Sequence, residues 1–260
     1  MRKSAIFLFF VAFCLTILGL SAQGGIAVSP QTARPKTEAE GKQKPEDSKQ
    51  RPVAKSKVYL LHSDLLRKDA SHPDAQIVTG NVSFRHDSVY MYCDSACYYD
   101  KVSSFEAFGN VKMVQGDTLF LYGDRLYYDG LTQIAEMRCN VRMENRTTTL
   151  LTDSLNYDRV YNLGYFFDGG TLMDEQNVLT SEWGEYSPQT KQSVFNYNVK
   201  LVNPQFTLTS DTLRYNTASK VADIVGPSDI WSDANHIYSE KGTYNTVTGK
   251  ADLYDRSVLT

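Results

Sequence analysis

The chain has 260 residues, a formal net charge of -3, 42% hydrophobic residues and 17 tyrosines. That length allows one or two domains, and the richness in Tyr, Val and Thr leans toward β-structure. From Val58 onward acids outnumber bases, which excludes a nucleic-acid binder, since phosphate contact needs a basic surface.

In chain order, Arg2 and Lys3 precede an apolar run from Ile6 to Leu20 and the small pair Ser21 and Ala22. This is the pattern of a secretory signal peptide over residues 1–22, and it implies export across a membrane. The run is shorter than the roughly 20 apolar residues a membrane span prefers; an uncleaved anchor, with membrane association, is the rival reading. Residues 23–57 follow, with SPQTARPKTEAEGKQKPEDSKQRPVAKSK beginning at Ser29. Almost no large apolar residue is present there, so burial cannot offset the entropy of ordering, and the segment reads as a disordered linker.

Residues 58–260 are a repeat array. Acids recur at Asp64, Asp94, Asp124, Asp153, Glu182, Asp211 and Glu240, with gaps of 30, 30, 29, 29, 29 and 29 residues. Four residues after each acid except the first stands a tyrosine: Tyr98, Tyr128, Tyr157, Tyr186, Tyr215 and Tyr244. Midway between acids lies a second landmark, Asn81, Asn110, Asn140 and Asn198, with Gly169 and Pro227 in the same register. Such self-similarity at fixed period is the signature of a repeat architecture.

Apolar residues alternate with period two on each side of the acid, which predicts strands. The phase slips by one at the acid, which requires a bend or bulge there. Turn residues, such as Gln115-Gly116-Asp117, Asp129-Gly130 and Ser187-Pro188, fall midway between landmarks. Each repeat of about 29 residues is therefore two antiparallel strands, each bent near its middle. The predicted fold is all-β: a creased antiparallel β-meander of about thirteen strands, a trough roughly 60 Å long at ~4.8 Å per strand. An outer-membrane barrel and a parallel β-helix are weighed against it; the phase slip with its small residue, and the two turn zones per period, favour the creased meander.

The remaining chemistry is sparse. Cys93, Cys97 and Cys139 are an odd set, and Cys93 and Cys97, four apart on one strand, sit too far apart to pair. His62, His72, His86 and His236 lack metal-ligand spacing and a nucleophile partner. No catalytic residue, metal site or cofactor is expected, and an enzyme has only the analogy with the long β-folds of polysaccharide lyases. The acid ladder is expected to accept hydrogen bonds from turn N–H groups along the crease, because its members are too far apart to share a calcium ion.

The segments GNVSF, GNVKM, CNVRM, GDRLYYD, TDSLNYD and SDTLRYN resemble the OstA/LptA family of periplasmic lipopolysaccharide-transport proteins, over roughly Val58 to Thr260. The resemblance implies a creased β-jellyroll, or β-taco, whose trough shields the acyl chains of lipopolysaccharide or another acylated glycolipid. It also implies other lipopolysaccharide-transport proteins as partners through edge strands, and head-to-tail self-association. The pattern weakens at Gly169-Gly170, Gly226-Pro227, Glu182-Trp183-Gly184 and Glu240-Lys241-Gly242, where distorted rungs are expected. The lining candidates are Phe84, Met91, Val111, Met113, Leu121, Val141, Met143, Leu150, Leu172, Leu179, Leu201, Leu208, Ile230 and Ile237. The edge-assembly candidates are Val58, Leu60, Leu253 and Leu259. The competing interpretation is a structural or adhesive repeat protein assembled edge to edge, with a dry, full interior and no lipid cargo.

Overall fold

The computed structural model describes residues 56–69, 72–232 and 235–260, which belong to one compact unit, Lys49–Thr260. The expected signal peptide, and all but the last two residues of the expected linker, lie outside the described residues. The elements are β1 (Tyr59–His62), β2 (Leu65–Asp69), β3 (His72–His86), β4 (Val89–Tyr99), β5 (Ser104–Gln115), β6 (Leu119–Asp129), β7 (Ile134–Asn145) and β8 (Thr148–Asp158). They continue as β9 (Leu163–Phe166), β10 (Gly170–Asp174), β11 (Asn177–Ser181), β12 (Trp183–Tyr186), β13 (Gln192–Asn203) and β14 (Phe206–Asn216). The last are β15 (Val221–Ile224), β16 (Ser228–Ser232), β17 (Asn235–Ser239), β18 (Lys241–Asn245), β19 (Ala251–Tyr254) and β20 (Val258–Leu259). A single 3-10 turn at Asp100–Val102 is the one helical element among the described residues.

Every pairing is antiparallel and joins chain neighbours. β3 to β8 form an unbroken meander. β9 and β10 cover the two halves of β8, so they are one strand interrupted at 167–169. β11 with β12, β15 with β16, β17 with β18, β19 with β20, and β1 with β2 are interrupted in the same way. Eight continuous strands and twelve half-strands acting as six make fourteen rungs. That is one more than the thirteen landmarks from Asp64 to Glu240, the extra rung being β19 with β20. The four weakened landmarks all fall at breaks. At Pro227 the cause is plain, since proline cannot donate to the ladder.

The crease is built from paired left-handed residues opposite each acid. Gly80-Asn81, Gly109-Asn110, Cys139-Asn140, Tyr197-Asn198 and Asp255-Arg256 all have positive φ, and the register shifts at the first four of these sites. Two residues then face one across the pair, a bulge that bends the strand. Gly80 and Gly109 need their glycine twice over, because a Cβ would lie 2.2 and 2.5 Å from the carboxylates of Asp64 and Asp94. One acid accepts a backbone N–H as expected, Asp153 from Asn140 at 3.2 Å; the other donors are side chains. Asn81, Asn110 and Asn140 donate their side-chain N–H to Asp64, Asp94 and Asp124 at 3.0, 2.8 and 2.6 Å. Asn198 serves Glu182, and Arg256, in the Asn register, contacts Glu240 at 3.2 Å. The αL backbone of the bulge aims the landmark side chain at the acid of the preceding strand, closer than any turn.

Candidate functional site

Each strand has two arms, one on each side of the crease. On the first arm, the pairings place Leu60, Phe84, Met91, Met113, Leu121, Met143, Leu150, Leu172, Leu179, Leu201, Leu208, Ile230, Ile237 and Leu259 opposite one another in turn. This one apolar ladder crosses every rung from edge to edge. It contains twelve of the lining candidates; the other two, Val111 and Val141, lie on the same inward face beside the crease, each 2% exposed. From Phe84 to Ile230 the ladder is buried, and Ile237 and Leu60 are partly buried against it.

The edge candidates separate. Leu60 and Leu253 pack on the core, and Leu259 is 70% exposed. Val58 is corrected: it lies before β1, 1% exposed, in the core, and its carbonyl accepts a 2.8 Å hydrogen bond from Tyr98. Its place at the start of the first strand made it an edge candidate, but it precedes the first pairing and is buried.

The second arm carries a facing ladder, Ala96, Ala107, Leu126, Met137 and Leu155 on one side and Phe166, Gly184, Phe195, Leu213 and Ile224 on the other. Beyond it run the tyrosines. Tyr128, Tyr157, Tyr186 and Tyr215 are at most 1% exposed, so their hydroxyls must find partners inside the protein.

Three of them find partners on the first arm, and Tyr157 finds one on a turn of its own arm that Gln115 of the first arm also reaches. Two residues beyond the apolar ladder, the inward positions are polar: His86, Gln115, Asn145, Asp174 and Asn203. Tyr128 Oη lies 2.7 Å from His86 Nδ1. Tyr157 donates to Asn162 Oδ1 at 3.2 Å, which also accepts from Gln115 at 2.9 Å. Tyr186 donates to Asn145 at 3.3 Å, and Tyr215 to Asp174 at 2.7 Å. Turn residues of the second arm complete each rung: Lys191 to Asn145 and Lys220 to Asp174 at 2.5 Å. These contacts form a seam that closes the two arms opposite the crease. Burial pushes the Tyr128 phenol up to about 12, so the hydroxyl stays protonated at neutral pH. At the last full rung Gly249 stands 29 residues after Lys220, and a polar pocket of about 150 Å³ opens beside Asn203, Asn177 and Thr246.

Alternation places these tyrosines on the inward face but does not say what their hydroxyls bind. The signal was present, since polar residues recur two positions past the ladder at the repeat period.

His86 is 0% exposed. Burial first, and the Arg159 guanidinium second, hold its pKa below the ordinary 6.5, with Asp87 opposing. Arg159 Nη1 is 3.1 Å from Nδ1 and also contacts the Tyr128 hydroxyl. Below pH 6.5 the unfolded chain takes up a proton that the native chain does not, so stability falls as pH drops from there to the lowered folded value and then levels. A His86→Gln variant is expected to lack this contribution. Urea unfolding of both proteins from pH 7.5 to 5 checks it: the wild type's advantage should shrink toward acid, and a constant difference counts against it.

Among the described residues, no group of three or more His, Cys, Asp or Glu side chains could hold a metal ion, and no helix is long and apolar enough to cross a membrane. Cys93, Cys97 and Cys139 are free, the first buried and the last exposed.

Comparison with known proteins gives three results. Residues 55–211 match the family described as OstA-like protein. No curated protein matches the chain. Among solved structures, the chain aligns with LptH of Pseudomonas aeruginosa, described as the LptA homologous periplasmic component of the conserved lipopolysaccharide transport device. That alignment has 11% identity and a TM-score of 0.25, over 55% of this chain and 93% of LptH.

Proposed function

We propose, from the premise that this chain belongs to the OstA-like protein family, that it is a periplasmic component of lipopolysaccharide transport that shields acyl chains between its two arms. The observation that carries this reading is the uninterrupted apolar ladder from Leu60 on the first rung to Leu259 on the last. It offers acyl chains a continuous apolar track along the whole length of the described sheet. Acyl chains laid along it would gain roughly 0.8 kcal/mol per buried CH₂. The crease is covalent, whereas the seam is held by side-chain hydrogen bonds worth about 0.5–1.5 kcal/mol each in net terms. The seam is therefore the side that parts to admit lipid. Among the described residues nothing pairs with the outer edges of β1 with β2 and of β19 with β20, and such edges suit strand addition by other transport proteins or by further copies of this chain.

One observation favours a second reading. The interior is full, with Phe84, Met113, Leu121 and Leu150 no more than 1% exposed, as expected of a structural repeat protein assembled by its edges. A photo-crosslinking residue at Met113, Leu121 or Leu150, and separately at outward-facing Arg125, in cells making lipopolysaccharide, decides between them. Lipid adducts at the inward sites alone are expected. No adduct at any site in a demonstrably folded protein would replace the carrier with the structural reading.

A further inference from the structure

Two neighbouring seam rungs, 29 residues apart, are built alike but charged differently. At one, Lys220 meets Asp174 at 2.5 Å and Glu175 at 3.5 Å. At the other, Lys191 takes the place of Lys220, Asn145 that of Asp174, and Arg146 that of Glu175. The protein supplies two carboxylates to the first lysine and none to the second. Lys191 hydrogen-bonds the neutral Asn145 amide, and among the described residues no carboxylate forms an ion pair with Lys191 or Arg146. Burial, then the Arg146 charge, lower the Lys191 pKa, the response of an ammonium without an anionic partner.

Two cations at one place, with the acids of the equivalent rung removed, leave room for an anion from outside. The position restricts which anion. Asn145 follows Met143 by two residues on the inward face and pairs with Thr148, two residues before Leu150. The cations thus stand at the mouth of the apolar ladder, on the line where the two arms part. Tyr186, which donates to Asn145 at 3.3 Å, can turn its hydroxyl to a phosphate oxygen instead.

We infer that Lys191, Arg146 and Asn145 form a site for the phosphate of a phosphorylated glycolipid whose acyl chains lie on Met143 and Leu150. The inference rests on the carrier reading and adds to it where the headgroup is held. It accounts for how a domain with excess acid accommodates an anionic lipid: the local charge, not the net charge, meets the phosphate.

The test measures binding of the full chain to a bis-phosphorylated lipid A and to its dephosphorylated form. A second readout is the melting-temperature shift caused by inorganic pyrophosphate at fixed ionic strength. The wild type is expected to prefer the phosphorylated lipid by about tenfold or more, as charge-assisted hydrogen bonds imply. The Lys191→Gln/Arg146→Gln double variant should lose that preference while still binding the dephosphorylated lipid. So should Asn145→Asp, which gives Lys191 the carboxylate found beside Lys220. Arg125→Gln, an exposed charge elsewhere, should retain it. Equal binding of both lipids by every variant overturns the headgroup site and leaves the carrier reading intact. Binding of neither lipid, with a pyrophosphate shift in the wild type that Asn145→Asp abolishes, overturns the carrier reading and leaves an anion site. Neither lipid binding nor a pyrophosphate shift overturns both.

Discussion

Phe166→Ala is expected to lower the unfolding free energy by about 3–5 kcal/mol, the usual cost of deleting a buried aromatic ring. The reason lies in how one repeat departs from its neighbours. Two residues after the acid, the two repeats before it and the one after it carry Leu126, Leu155 and Leu213, all 1% exposed or less. The repeat at Glu182 carries Gly184 instead. Its place in the core is taken by Phe166 from the adjacent strand: a Cβ on Gly184 would lie 2.6 Å from the Phe166 ring, and one on Gly170 would also lie 2.6 Å from it. Restoring the leucine by Gly184→Leu is therefore expected to be destabilising, by about 1–3 kcal/mol or more for overpacking. The pair Phe166→Ala/Gly184→Leu should recover most of the loss, because the new leucine fills the space the ring leaves. Urea midpoints for the four proteins of this cycle, at comparable m-values, measure the coupling. Additive losses in the double variant would mean that the two positions do not share one volume.

Lys220→Met is expected to cost about 3–5 kcal/mol, because it leaves the Asp174 carboxylate buried without its counter-charge. Asp174 is 0% exposed and, among the described residues, keeps only the Tyr215 hydroxyl, at 2.7 Å. Asp174→Asn should cost less, about 1–3 kcal/mol, since the Lys220 side chain is 14% exposed and retains Glu175 at 3.5 Å. The double variant Asp174→Asn/Lys220→Met removes both charges and should lie close to the single Asp174→Asn in stability. Thermal or urea unfolding of the three variants decides this. A Lys220→Met protein as stable as the wild type would show that the seam is wet enough to solvate Asp174 unaided, and that its contacts do not hold the arms together.

The landmarks read from the sequence correspond to the rungs of the fold. The acids lie at strand centres, the Asn register reaches as far as Arg256, and the turns follow Gln115, Asp129 and Tyr186 as their residues imply. The lining candidates fall on one inward face because period-two alternation leaves no choice of face once the bulge positions are known. Val58 is not an edge position because being first in chain order does not say where a residue ahead of the first pairing packs. The backbone N–H expected at the crease acids is found at Asp153; the side-chain donors at the others are not legible, because alternation says which face a side chain occupies, not that an αL pair turns it toward the neighbouring strand.

The sequence by itself determined the local order: a period of about 29 residues, two bent strands per period, the inward face, and the register between neighbouring strands. All of these depend on residues within one repeat of each other. The tertiary structure alone decided how the arms meet. Tyr128 and His86 are 42 residues apart, and Lys220 and Asp174 are 46 apart. Each pair spans about one and a half repeats, from one arm to the other. A periodic pattern carries no information about the angle at the crease or the stagger between arms, since every rung would accept several offsets equally well. The closed seam, and with it the uncompensated cations at Lys191 and Arg146, follows from the one offset at which buried tyrosine hydroxyls reach polar partners and Phe166 fits the space beside Gly184.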